Sequence, residues 1–202
     1  MTIRAVFFDV GETLVDEERL WREVARAAGL RPHVVWAALG ATIAAGEEHR
    51  NLWERLGVER PVVVWERIPF DETDLYPDAI PCLEGLRADG FFVGVAGNQN
   101  LTMEPWARAT LPADVVATSG GLGVAKPDLA FFHRVVELAG ADAGEVVYVG
   151  DRVDNDVVPA QAAGLMAIHL RRGPWGLLQP RPDGVVSIGS LDELRAALAP
   201  VR

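Results

Sequence analysis

Two aspartates and one lysine stand where this chain could do chemistry. Asp9 closes the apolar run Ala5–Phe8 in FFDVGETL, and Asp151 follows the run Val146–Val149 in GDRVDND. Lys126, in AKPD, is the one lysine among 19 basic residues. Arginine serves for every other cation, so a compact, strongly hydrated ammonium is singled out here, with arginine-favouring codon usage as the plain alternative. Both carboxylates lie just past the carboxyl end of an expected strand, the edge at which open parallel α/β sheets bind ligands. Two carboxylates and an ammonium at that edge point to chemistry on a ligand. Each residue also has an ordinary structural reading. An aspartate after a strand can cap a turn, and Thr13 suits the same turn. Pro127 fits the first turn of a helix, which would make Lys126 a helix boundary. Asn155 or Asp156 could N-cap the helix that follows.

The elements that must position these groups are legible as alternation. Short β-branched runs predict strands over Arg4–Asp9, Phe92–Ala96, Val115–Ala117, Val146–Val149, Met166–Leu170 and Val185–Ile188. Helical stretches are expected over Ala79–Ala88, Asp128–Leu138, Asn155–Ala163 and Leu191–Leu198. This is the pattern of an α/β fold, a Rossmann-like parallel sheet covered by helices. One region breaks it. From Asp16 to Asp74 the pattern is helical, with Trp21, Val24 and Ala28, then Val35, Leu39 and Ile43, on common faces. The expected organisation is a core of residues 1–15 and 75–202 with a small helical cap, 16–74, inserted after the first strand. Gly173–Gly184, rich in glycine and proline, is expected to be a loop.

Composition excludes several classes. Half of the 202 residues are apolar, enough for a substantial core, and 29 acidic residues face 19 basic ones. Such an anion is a poor binder of nucleic acid or anionic membrane, so an anionic substrate must be held locally. The lone cysteine, Cys82, rules out an intramolecular disulfide and suits a reducing compartment. No apolar stretch approaches the roughly 20 residues of a membrane span. The amino terminus runs straight into a strand pattern, so a cytoplasmic location is expected.

In motif order, spacing and insertion point the chain resembles the haloacid dehalogenase-like hydrolases, most of which are magnesium-dependent phosphatases. The resemblance rests on Asp9 and Thr13 in FFDVGETL, Lys126 in AKPD and the acidic GDRVDND loop. It implies that Asp9 is a nucleophile forming an aspartyl-phosphate. It implies Mg²⁺ held by Asp9, the Gly11 carbonyl and Asp151, hard oxygen ligands that suit the ion. Lys126 would neutralise the nucleophile and the phosphoryl oxygens, Thr13 and Asn98 would position a small phosphorylated or otherwise anionic substrate, and Asp156 would orient Lys126 or a metal-bound water.

Two positions depart from that pattern. Family phosphatases usually carry a second aspartate two residues after the nucleophile, which protonates the leaving group and later activates water. Here that position is Gly11, with Glu12 beside it as a possible replacement acid and base. Losing such a group costs about 10²–10⁴-fold in rate. The family's serine or threonine at the end of the second strand is replaced by Gly97, followed by Asn98. Three functions are therefore in play: a magnesium-dependent phosphatase, favoured by Asp151; a metal-independent 2-haloacid dehalogenase, which also lacks the second aspartate; and an impaired member that binds a phosphorylated ligand or protein partner. Trp21, Trp36, Trp53 and Trp65 are expected to fill the cap interior. The histidines show no ligand spacing.

Overall fold

The computed structural model describes residues 2–61 and 70–199. Six strands form one wholly parallel sheet: β1 (Ala5–Phe8), β2 (Phe92–Gly97), β3 (Val115–Thr118), β4 (Val146–Gly150), β5 (Met166–Leu170) and β6 (Val186–Ile188), in the spatial order β3-β2-β1-β4-β5-β6. The four residues of β1 and the five of β4 are all buried, as near-continuous apolar runs are when helices cover both faces of a sheet. Val6, Phe8, Val93, Val95, Val147 and Val149 point to one core; Ala5, Phe7, Val146 and Tyr148 point to the other. Close packing explains Gly94: a Cβ there would come within 2.5 Å of the Phe7 ring.

Register sets the site. Phe8 is level with Val95 on one side and Val149 on the other, so Asp9, Gly97 and Gly150–Asp151 leave the sheet side by side. The switch in strand order falls at β1, between β2 and β4, where an open α/β sheet forms its binding crevice.

Helices α1 (Glu18–Ala27), α2 (Pro32–Ala44) and α3 (Asn51–Leu56) lie between β1 and β2 and have their own core of Trp21, Val24, Val35, Leu39, Ile43, Leu52 and Trp53. Burying each such side chain is worth on the order of 1.5–3 kcal/mol, so this small unit has its own cohesion. The chain leaves and returns as a pair: Asp16 N–H donates to the Asp74 carbonyl at 2.7 Å, and Tyr76 N–H to the Leu14 carbonyl at 3.0 Å. Residues 62–69 of the expected cap, Trp65 included, lie outside the described residues.

The remaining helices are α4 (Ala79–Ala88), α5 (Glu104–Thr110), α6 (Ser119–Leu122), α7 (Leu129–Ala139), α8 (Val158–Ala162), α9 (Gly173–Leu178) and α10 (Leu194–Leu198). The expected helix from Asn155 begins instead as a wide π turn, Val153–Val157, that runs into α8. The expected loop Gly173–Gly184 is corrected as well, because its first half is α9. Pro174 sits in the first turn of α9, where its fixed φ and missing N–H cost nothing. Trp175 then inserts into the core of the helical insertion, with its ring 6.3 Å from that of Trp21. Among the described residues, no helix is long and apolar enough to cross a membrane.

Candidate active site

Lys126 Nζ lies 2.6 Å from Asp9 Oδ1 and 2.6 Å from Asp156 Oδ1, and all three residues are buried. Asp9, Asp151 and Asp156 each bring a carboxylate oxygen within 4.8 Å of the other two. The four side chains come from the ends of β1 and β4, from the π turn and from the segment before α7, so distant parts of the sequence converge on one point.

The surroundings are built to hold them. Asn98 uses both ends of its amide on the Lys126 main chain: Oδ1 accepts the Lys126 N–H at 2.8 Å and Nδ2 donates to its carbonyl at 2.9 Å. The Lys126–Pro127 bond is cis, and α7 begins three residues after the lysine, with the Asp128 side chain accepting from Ala130 N–H. Asp156 Oδ2 accepts the Arg152 N–H at 3.0 Å, so this residue ties its own loop as well as the ammonium. A Cβ at Gly150 would lie 2.6 Å from Asp156 Cβ; only glycine leaves room for that carboxylate.

Charge does not balance in this cluster. Three buried carboxylates share one ammonium. Burial alone would push the Lys126 ammonium down, but Asp156 and then Asp9 outweigh it and hold its pKa well above the usual range. Burial, reinforced by Asp156, Asp9 and Glu12, drives the Asp151 carboxyl far up. Burial also raises Asp156, to about 6, against the pull of Lys126. Asp151 Oδ2 is buried with no hydrogen-bond partner among the described residues. An unpartnered carboxylate oxygen inside a net-negative cluster is a strong demand for a cation. Oxygen ligands from Asp9 and Asp151 fit a hard divalent ion, which would bring the sum to zero. Thr13 is fully buried and its Oγ1 likewise has no partner, leaving a hydroxyl available for hydrogen bonding.

A family model for haloacid dehalogenase-like hydrolases matches residues 3–164. The chain belongs to that family. It is 31% identical to a glyceraldehyde 3-phosphate phosphatase of Methanopyrus kandleri over 99% of this chain and 97% of that one. A glyceraldehyde 3-phosphate phosphatase of Methanocaldococcus jannaschii is 35% identical over 59% of this chain and 54% of its own length. Among solved structures, a phosphatase of the family from Thermococcus onnurineus superposes with a TM-score of 0.64 at 23% identity, covering 98% of both chains. An L-2-haloacid dehalogenase superposes with a TM-score of 0.73 at 18% identity, covering 100% of this chain and 99% of that one. At those identities the superpositions speak for the fold alone.

Within this hydrolase the two departures from the family pattern have steric explanations. A Cβ at Gly97 would stand 2.7 Å from Asp9 Oδ1 and 3.2 Å from Val10 Cγ2, so with Asp9 in this rotamer no side chain fits there. Glu12 adopts a left-handed backbone, φ 52°, which turns its carboxylate inward. Its Oε2 accepts from Tyr76 Oη at 2.6 Å and its Oε1 from Glu17 N–H at 3.2 Å, so both oxygens are engaged. Gly173, at φ 62°, lies directly against it; any side chain there would collide with Glu12.

Several residues next to the site were missed by sequence reasoning. His169 is fully buried on β5 with Nε2 3.1 Å from the Asp151 carbonyl. Arg172 donates to the Thr13 carbonyl at 3.0 Å and bonds Asp78, which braces the loop after β1 against α4. Glu17 lies over Gly11. Burial pushes its carboxyl up to about 8, aided by the charges of Glu12 and Asp9 and opposed by a hydrogen bond from Trp21. A cluster of acids near a sheet edge was the available signal. Their order in the sequence did not reveal which ones meet.

Proposed function

We propose that this hydrolase is a magnesium-dependent phosphatase of small phosphate esters that works through an aspartyl-phosphate at Asp9. The observation that carries the reading is the buried cluster in which Lys126 sits 2.6 Å from both Asp9 and Asp156 while Asp151 keeps an oxygen unpartnered. A metal-independent dehalogenase would have no use for that third carboxylate.

Asp9 attacks phosphorus with its second oxygen. The ester P–O bond breaks, and water later cleaves the acyl-phosphate to release inorganic phosphate and restore Asp9. Lys126 holds the attacking carboxylate in place through Oδ1 and presents positive charge to the phosphoryl oxygens. Asp156 fixes Lys126, and Asn98 fixes the main chain beneath it. Thr13 offers its hydroxyl to the phosphoryl group. Asp9, the Gly11 carbonyl and Asp151 would hold the ion, which would offset the charge developing on the phosphoryl oxygens. Two relatives named as glyceraldehyde 3-phosphate phosphatases support a three-carbon sugar phosphate as substrate. The net charge of −10 leaves selection of that anion to the local site.

The test is hydrolysis of p-nitrophenyl phosphate and glyceraldehyde 3-phosphate with Mg²⁺ and with chelator. Release that requires Mg²⁺ and vanishes in Asp9→Asn supports the reading. Chloride release from a 2-haloacid without metal, or turnover that survives in Asp9→Asn, contradicts it.

A further inference from the structure

We propose that Glu17, from the start of the helical insertion, is a catalytic residue of this hydrolase and performs the proton transfers that the side chain missing from residue 11 would otherwise perform. The proposal rests on the aspartyl-phosphate reading above.

Gly11 does not owe its identity to its backbone. It is absent from the positive-φ glycines among the described residues, so an ordinary side chain is sterically allowed by the main chain. What excludes one is Glu17: a Cβ built on Gly11 would overlap Glu17 Oε1 and come within 2.9 Å of its Cδ. The carboxyl group of residue 17 therefore occupies the volume in which a side chain of residue 11 would begin. The path of the chain makes this possible, because Gly11 bridges to Val15 and the turn folds residue 17 back over residue 11.

Glu17 is not spent on an ordinary structural task. It is the N-cap residue of α1, yet its side chain makes no capping hydrogen bond. Trp21 Nε1 donates to Oε2 at 3.2 Å, which leaves Oε1 as the oxygen over Gly11. The Glu17 main chain is held by Glu12 Oε1 at 3.2 Å, and Glu12 by Tyr76 at 2.6 Å. Glu12 is therefore the residue that positions Glu17. Glu17 keeps partial exposure.

In the first half-reaction Asp9 forms the bond to phosphorus as the ester bond breaks, and the departing alkoxide oxygen takes the proton of the Glu17 carboxyl. In the second half-reaction the Glu17 carboxylate takes a proton from water as that water attacks phosphorus. Phosphate leaves, Asp9 is freed and Glu17 is again protonated.

Leaving groups separate this role from a structural one. Nitrophenolate departs without a proton; the alkoxide of glyceraldehyde 3-phosphate needs one. In Glu17→Gln the rapid burst of nitrophenolate should persist, glyceraldehyde release should fall by about 10²–10⁴-fold, and the acyl-phosphate should accumulate on Asp9 for detection by mass spectrometry. Gly11→Asp combined with Glu17→Ala should recover glyceraldehyde 3-phosphate hydrolysis relative to Glu17→Ala alone. Gly11→Asp alone should melt lower than the double variant, because its side chain meets Glu17. Loss of the nitrophenolate burst along with glyceraldehyde release in Glu17→Gln, no loss of either, or no recovery in the double variant would overturn the assignment while leaving Asp9 chemistry standing. If the unsubstituted protein turns over neither ester, the phosphatase reading fails and takes this role with it.

Discussion

The Asn98 side-chain amide is locked to the Lys126 main chain by two hydrogen bonds of 2.8 and 2.9 Å, one in each direction. The amide of Asn98 is thus committed to placing the ammonium. Asn98→Ala should lower kcat about tenfold or more with little change in KM, since net hydrogen bonds of this kind are worth about 0.5–1.5 kcal/mol each. Steady-state kinetics on p-nitrophenyl phosphate would show it. A rise in KM at constant kcat would instead mark direct substrate binding.

Restoring a hydroxyl at position 97 should not help. With a Cβ only 2.7 Å from Asp9 Oδ1, Gly97→Ser must displace the nucleophile or the strand end. We expect a loss of about 1–3 kcal/mol, the usual cost of overpacking, and slower turnover. Thermal melts and rates measured together would test this, and an unperturbed melt with faster turnover would refute it.

The unbalanced acids predict a pH dependence in chelator. Folding raises the Asp151 carboxyl far above its ordinary 3.8, so the folded state favours its protonated form. Its contribution is therefore fully present below pH 3.8 and lost as pH rises toward the folded value. Asp151→Asn should reduce that loss in metal-free melts and abolish the stabilisation by Mg²⁺, which for a site at one hundred times its Kd is about 2.7 kcal/mol. An undiminished Mg²⁺ shift in the variant would contradict the site.

Asp78 predicts the opposite slope. Burial raises its carboxyl, but hydrogen bonds from Arg172, Ser190 and the Leu191 N–H outweigh that and hold it below the ordinary 3.8. Its stabilisation is present above pH 3.8 and lost as pH falls through the lower folded value. Asp78→Asn should cost about 1.5–3 kcal/mol near neutrality, from loss of charged hydrogen bonds, with the gap closing in acid. Denaturant titrations at pH 3 and pH 6, taken about three units apart to bracket the ordinary carboxylate range, would measure it.

The sheet was legible because buried parallel strands read as short apolar runs, and Asp9 and Asp151 follow two of them. Helix α4 matches its expected span, with Pro81 confined to its first turn. Helix α9 was not legible, since Gly173 and Pro174 are loop formers locally and become a helix start only when Trp175 finds the core of the insertion. Within the site, Asp9 and Asp151 meet as their strand-end positions suggested, and Lys126 and Asp156 join them from the segment before α7 and from the π turn. Glu12 and Glu17 could not be told apart in GETLVDEE, because the difference lies in a left-handed residue and a turn that folds 17 onto 11. The one sequence clue was a glycine at 11 where family phosphatases usually carry a second aspartate.

The central claim is that Asp9 takes the phosphoryl group. The direct measurement is an acid quench during turnover of p-nitrophenyl phosphate with Mg²⁺, followed by borohydride reduction and peptide mass spectrometry. The account predicts homoserine in place of Asp9, increased in Glu17→Gln and absent in Lys126→Ala. Sustained turnover with Asp9 unmodified, or reduction at another carboxylate, would contradict it.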